Sequence, residues 1–304
     1  MSAMGKASRT KQAPDRRARV AAQREAARRA DQRKRIYLAG GSILAVIIVV
    51  VAFVLVSMNS HNSSSASGGS NGPTGAALTS LVNQTTSVPA SVLDQVGDGG
   101  GAVTVKPTSI TGGTPLTSGG KPEVLYIGAE YCPYCAGTRW AMIVALSRFG
   151  TFSGLSTVHS SSTDTYPNTP TWTFYKSSYT SPYLTFTPVE TTTNVPNGSG
   201  GGYVTLQTPT AAQSAVWSKY DAGGSIPFID FGNKYMISGA SYNPQVLAGK
   251  TWAQISAALH NPSSQIAQAI NGTANYITAT ICKLTGNQPA TACTSVVQSL
   301  QSKI

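Results

Sequence analysis

One long apolar run is followed by a succession of short alternating segments along the chain. Residues 36–58 form 23 positions without a charge, against the roughly 20 apolar residues that cross a bilayer, and this run predicts a transmembrane helix. Residues 59–76 are a Ser/Gly/Asn tract almost without apolar side chains, which predicts a flexible tether over 59–77. In 77–96 the spacing of Leu78, Leu81, Val82, Val88, Val92, Leu93 and Val96 predicts short helices before the glycine break at 97–101. The folded domain, 78–304, is expected to begin near Leu78 or Val88. Residues 103–105 read as an edge strand and 122–129 as a buried strand, and 136–149 have helical periodicity. A strand is expected over 155–160. From 166 to 188 aromatic and β-branched residues alternate with Thr and Ser, which predicts one or two strands with an exposed face. Residues 194–202 read as a loop and 210–220 as a helix; 226–231 and 235–237 read as a hairpin across Gly232 and Asn233. The remainder is helical in pattern, at 244–248, 252–259, 264–282 and 294–301. Strands alternating with helices, then a hairpin and more helices, predict an α/β sandwich with a C-terminal helical extension over 262–304.

Charge sharpens the topology. The first 35 residues hold 12 Lys/Arg against 3 Asp/Glu, nine of the chain's eleven net positive charges. Because Arg33, Lys34 and Arg35 directly precede the apolar run, the N-terminus is expected in the cytoplasm and the rest outside, in a single-pass cell-membrane protein. A cleaved signal peptide is the competing explanation, but its apolar core is shorter, about 7 to 15 residues, and ends in a small-residue cleavage site. The basic arm is expected to act as a topology signal touching lipid headgroups. Nucleic acid is not an expected partner, since no aromatic interleaving or nucleic-acid motif accompanies the charge.

Four cysteines lie beyond the span, in two close pairs. An even count in an exported, oxidising compartment fits two intramolecular disulfides. Zinc is the alternative for a Cys-x-x-Cys with a second pair, but ten residues separate Cys282 from Cys293 and no His is near, so no metal is expected. Cys132 and Cys135 sit where a buried strand gives way to a helix. A thiol there faces unpaired backbone N–H groups and the positive end of the helix dipole, which favours the thiolate. Cys132 is therefore the candidate nucleophile and Cys135 the resolving thiol. Cys282 and Cys293 enclose a loop, 283–292, containing Gly286 and Pro289, and a structural disulfide there is worth roughly 2 to 3 kcal/mol of chain entropy. A redox relay between the pairs is the alternative.

At Cys132-Pro133-Tyr134-Cys135, between strand and helix, the chain resembles the thioredoxin superfamily. Ser225-Ile226-Pro227-Phe228 lies where that superfamily places a cis-proline beside its cysteines. More narrowly, 131–155, with Arg139-Trp140 and Ala145-Leu146-Ser147-Arg148-Phe149-Gly150, and 228–242 resemble a membrane-anchored family catalogued as domain of unknown function 929, from about Leu78 onward. The resemblance implies a thioredoxin-like sandwich in which the Thr- and aromatic-rich strand region is an insertion. It also implies client contacts at Tyr131, Pro133, Tyr134, Ile226 and Pro227; the family lends no established substrate.

Departures from the best-known thioredoxin pattern are visible. Tyr131 stands where many thioredoxins carry Trp, and Tyr126 where they carry a buried Asp. Glu123 and Glu130 are the nearest carboxylates and are expected to be solvated. Arg139 is expected in a surface ion pair, with a role on the thiols as the alternative. Asp230 is a weaker candidate proton acceptor. Trp140, Met142, Ile143 and Leu146 read as core, and His61, His159 and His260 receive no catalytic role. Pro-Tyr between the cysteines is the dipeptide common in glutaredoxins, whose potentials are about −200 to −230 mV, although glutathione specificity does not follow.

These expectations converge on a membrane-anchored, extracytoplasmic thiol-disulfide oxidoreductase without a cofactor. Its clients would be exported protein thiols and disulfides, and a membrane redox partner would regenerate it. The alternative is a non-catalytic binding module of the cell envelope with structural disulfides. A peroxidase lacks its familiar motifs.

Overall fold

The computed structural model describes residues 72–304 apart from Ser199. The expected span at 36–58, the basic arm and most of the tether lie outside the described residues, among which no helix is long and apolar enough to cross a membrane. The described residues form seven α-helices and twelve short strands. In chain order they are α1 (Gly75–Thr86), α2 (Ala90–Val96), β1 (Thr108–Ser109), β2 (Thr117–Ser118), β3 (Lys121–Gly128), α3 (Pro133–Leu146), β4 (Thr151–Ser153) and β5 (Ser156–His159). Then come β6 (Pro170–Thr173), β7 (Ser178–Thr180), β8 (Thr185–Glu190), β9 (Thr192–Pro196), β10 (Tyr203–Thr205), α4 (Ala211–Tyr220), β11 (Phe228–Phe231) and β12 (Tyr235–Ser238). Last are α5 (Trp252–Leu259), α6 (Gln265–Leu284) and α7 (Ser295–Leu300).

The organising strand is β3. It pairs antiparallel with β11 and β2 and parallel with β8 over Glu123–Gly128, while β12 and β1 extend the sheet beyond β11. Side chains alternate across a strand, and β3 divides accordingly. Val124 and Tyr126 join the large core with α3 and α6, whereas Leu125 and Ile127 join Val189 and Phe228 beneath Val216, Trp217 and Tyr220 of α4. The protein is a mixed α/β structure with helices on both sheet faces. Helix α3 is buried almost all round because it lies between the sheet and α6; Trp140, Met142, Ile143 and Leu146 are fully buried. The Trp140 indole donates to the Pro170 carbonyl at 3.0 Å and meets Trp172 edge-on.

Several expectations need correction. Helix α1 starts at Gly75, inside the segment expected to be a tether. Residues 103–105 make no strand; Thr104 and Val105 N–H both converge on the Ser241 carbonyl instead of forming a ladder. The region 166–188 supplies three strands, and β6 is buried on both faces. Its Thr171 hydroxyl donates to the Ala136 carbonyl, so a polar residue that reads as solvent-facing is spent on α3. The predicted loop 194–202 overlaps a ribbon in which β9 pairs with β10. Asn194 and Pro196 read as breakers, yet a two-stranded ribbon consists only of edges, where Pro is tolerated. The C-terminal helices are not an appendage: sixteen of the twenty residues of α6 are buried, because α6 forms the wall against which α3 packs.

Candidate active site

Cys132 caps α3. Its backbone is extended, Pro133 occupies the first helical position, and its Sγ accepts the Cys135 N–H at 3.2 Å. Pro is suited to that position because it has no N–H to leave unpaired. Both cysteines are free thiols, so of the two disulfides expected from the even cysteine count only Cys282–Cys293 is formed among the described residues. Cys132 retains 5% exposure and Cys135 none. The Cys132 thiol is held below its ordinary value chiefly by the hydrogen bond from the Cys135 side chain. The Cys135 and Tyr134 N–H groups and the Arg139 charge reinforce this against the cost of burial. Burial pushes the Cys135 thiol well up, and the neighbouring Cys132 adds to it. The two sulfurs are thus polarised in opposite senses, as a nucleophile and a resolving thiol require.

Of the expected client contacts, Tyr134 is the most exposed at 39%, Tyr131 and Ile226 are half-buried, and Pro133 and Pro227 are buried. The Ile226–Pro227 peptide is cis, and the Ile226 carbonyl oxygen lies 3.9 Å from Cys132 Sγ. Tyr131 stacks on Tyr203 with centroids 4.2 Å apart, and Tyr134 meets Tyr166 edge-on.

Beneath the thiols the structure overturns two expectations. Arg139 is fully buried, not at the surface: one turn beyond Cys135 the helix faces inward. There Arg139 Nε and Nη2 each donate at 2.7 Å to a Glu190 oxygen, and Nη2 also donates to the Ala129 carbonyl at 2.6 Å. Its Nη1 has no hydrogen-bond partner among the described residues. Glu130 is likewise buried rather than solvated, because its backbone N–H is tied to the Thr192 carbonyl; burial raises its carboxyl, opposed by the Thr173 hydrogen bond and the Arg139 charge. Glu123 is half-buried in β3. Tyr126 is buried with its hydroxyl unpartnered, and that hydroxyl lies against Gly128 so closely that a side chain at 128 has no room. Asp230 lies on β11, where Oδ1 accepts the Asn233 N–H at 2.7 Å and burial lifts the carboxyl to about 6.

Glu190 was not foreseen. It ends β8, 51 residues from Arg139, and only the parallel register that sets Gly128 opposite Glu190 brings it under the cysteines. The alternation of Leu184 and Phe186 with Thr185 and Thr187 signals a strand but not a charge at its buried end. Cys282 and Cys293 are bonded to each other and buried, with Cα atoms 5.8 Å apart. Arg148 Nη2 ties the Ala292 carbonyl of that loop to the end of α3. Among the described residues no three His, Cys, Asp or Glu side chains are grouped to hold a metal. His159 packs on Trp252 and His260 bonds the Gln84 carbonyl, whereas His61 lies outside the described residues.

Fold and site define a mixed α/β protein with a polarised buried dithiol at a helix N-terminus. The chain belongs to the family described as Domain of unknown function (DUF929), whose model matches residues 109–283. That match begins later than Leu78 and ends one residue after Cys282, so the Cys282–Cys293 loop falls largely outside it. No curated protein and no solved structure matches the chain.

Proposed function

We propose that this protein is a thioredoxin-like, membrane-anchored thiol-disulfide oxidoreductase acting on exported proteins. The observation that carries the proposal is the opposed polarisation of two free thiols, with Cys132 Sγ accepting the N–H of Cys135 at the head of α3. The placement of Ile226–Pro227 beside that sulfur and the parallel β3–β8 pair flanking α3 also support a thioredoxin-like arrangement. The basic arm and uncharged run at 36–58 support the anchor and an extracytoplasmic domain.

In the reductive direction the Cys132 thiolate attacks a client disulfide, forming a mixed disulfide and releasing one client thiolate, which takes up a proton. Cys135 then loses its proton and attacks Cys132 Sγ. This step forms the Cys132–Cys135 disulfide and releases the second client thiol. Oxidation of a dithiol client is the reverse, and a membrane redox partner resets the pair. No cofactor is needed, since both electrons move between sulfurs.

The test is trapping in the full-length protein. Cys135→Ser should accumulate mixed disulfides and Cys132→Ser should abolish exchange; full activity in both variants refutes the proposal. The 5% exposure of Cys132 favours one second reading, a thioredoxin-fold binding module with a locked pair. That module would resist alkylation after mild reduction.

A further inference from the structure

A cleft of about 540 Å³ opens beside the dithiol, lined by Tyr131, Thr192 and Tyr203 and by the turn Thr163, Asp164, Thr165. It starts at the residue preceding Cys132. Its aromatic wall is the Tyr131–Tyr203 stack, whose rings are 7° from parallel. That wall is fixed from behind: the Tyr203 hydroxyl donates to Ser161 Oγ at 2.7 Å, and the Ser161 N–H donates to the Tyr131 carbonyl at 2.7 Å. The opposite side is fixed by the same serine, since the Thr163 N–H donates to Ser161 Oγ at 3.1 Å. One buried serine therefore holds both walls and the turn that leads into Cys132.

The chemistry of the lining is one-sided. Asp164 carries the only charge among the lining residues, and the rest offer hydroxyls, glycine backbone and tyrosine faces. A planar cation satisfies this set better than any other side chain, because a guanidinium stacks on an aromatic face while donating to a carboxylate and a hydroxyl. A carboxylate would meet Asp164 and find no cation.

We propose that the cleft beside Tyr131 binds an arginine or lysine side chain of the client polypeptide, so that the protein prefers clients with a basic residue near the reacting cysteine. This specificity rests on the oxidoreductase reading for its effect on exchange, but binding itself does not need it. Asp164 and Tyr203 are then specificity residues contributed by segments remote from the cysteines: the turn after β5, and β10.

The test uses reduced full-length protein and peptides whose single cysteine is a mixed disulfide with thionitrobenzoate. Arg, Gln or Glu is placed at each of the three positions on either side. Each turnover converts the Cys132/Cys135 dithiol to its disulfide and releases the peptide thiol and thionitrobenzoate. At the best position the second-order rate constant of this single turnover for Arg should exceed that for Glu by about threefold or more, the ratio an exposed ion pair supplies. Asp164→Asn should bring the ratio to within about twofold, and added salt should lower it. A wild-type ratio near one, or one that survives Asp164→Asn, overturns the proposal. In parallel, unreactive peptides with Ser for Cys are titrated onto the same protein by calorimetry. If no peptide exchanges at all, the oxidoreductase reading fails, and an Arg-over-Glu binding preference that Asp164→Asn removes still sustains the cleft. Equal binding of the two peptides overturns it.

Discussion

Removing Arg139 tests how the dithiol is supported. Arg139 and Glu190 have no side-chain exposure and are joined by two 2.7 Å contacts, with a third bond from the guanidinium to the Ala129 carbonyl. Deleting one partner of a buried pair leaves an uncompensated charge and costs about 3 to 5 kcal/mol, roughly a fifth or more of a typical domain's stability. Arg139→Met should therefore lose about that amount, and Glu190→Leu a similar one. The double variant abandons both charges and orphans mainly the Phe174 N–H, which donates to Glu190 Oε1 at 3.4 Å, while the Ala129 carbonyl still accepts the Cys132 N–H; the penalty is about 1 to 3 kcal/mol. Its loss should fall short of the sum of the single losses by at least about 2 kcal/mol. The assay is urea unfolding of the full-length protein, followed by near-ultraviolet circular dichroism of the Trp140–Trp172 pair, for all four corners of the cycle. Single losses under about 1 kcal/mol, the range of exposed pairs, or strict additivity would refute the reasoning.

Three more outcomes are expected. Alkylation of the reduced protein against pH should show Cys132 reacting with a midpoint below the ordinary thiol value of about 8.5, with Cys135 silent across that range; a single thiol-like midpoint for both would contradict the polarisation. Asp230 protonates at about 6 in the fold against 3.8 for a free side chain, so its burial costs nothing below pH 3.8 and its full penalty above about pH 6. Asp230→Asn should accordingly match wild type at pH 3.5 and be more stable at pH 8 by up to about 3 kcal/mol. An equal difference at both pH values would show that the carboxylate is not responsible. Replacing Cys282 and Cys293 together by Ala should lower stability by about 2 to 3 kcal/mol while leaving the exchange rate at Cys132 unchanged; loss of exchange with an intact fold would make the second pair a relay.

The elements legible in the sequence were those whose pattern is local. The strand before Cys132, the helix after it and the capped helix at 252–259 follow from periodicity and from cap residues such as Thr251, whose hydroxyl accepts the Gln254 N–H. Cys132 as the residue that caps the helix follows from the same local logic. What was hidden depends on contacts across the chain. Arg139 reads as a surface cation until β8 is set parallel to β3, which places Glu190 against it. Glu130 reads as solvated until β9 receives its backbone N–H. The Tyr131–Tyr203 wall joins residues 72 positions apart through Ser161, which no spacing rule anticipates.

The most direct measurement is the reduction potential of the Cys132/Cys135 pair in the full-length protein, obtained by equilibration in thiol buffers and mass-spectrometric counting of alkylated cysteines. Dedicated oxidoreductases span about −120 to −270 mV, and a value in that interval is what the account predicts. A value below about −300 mV, characteristic of disulfides that merely hold a fold, would contradict it.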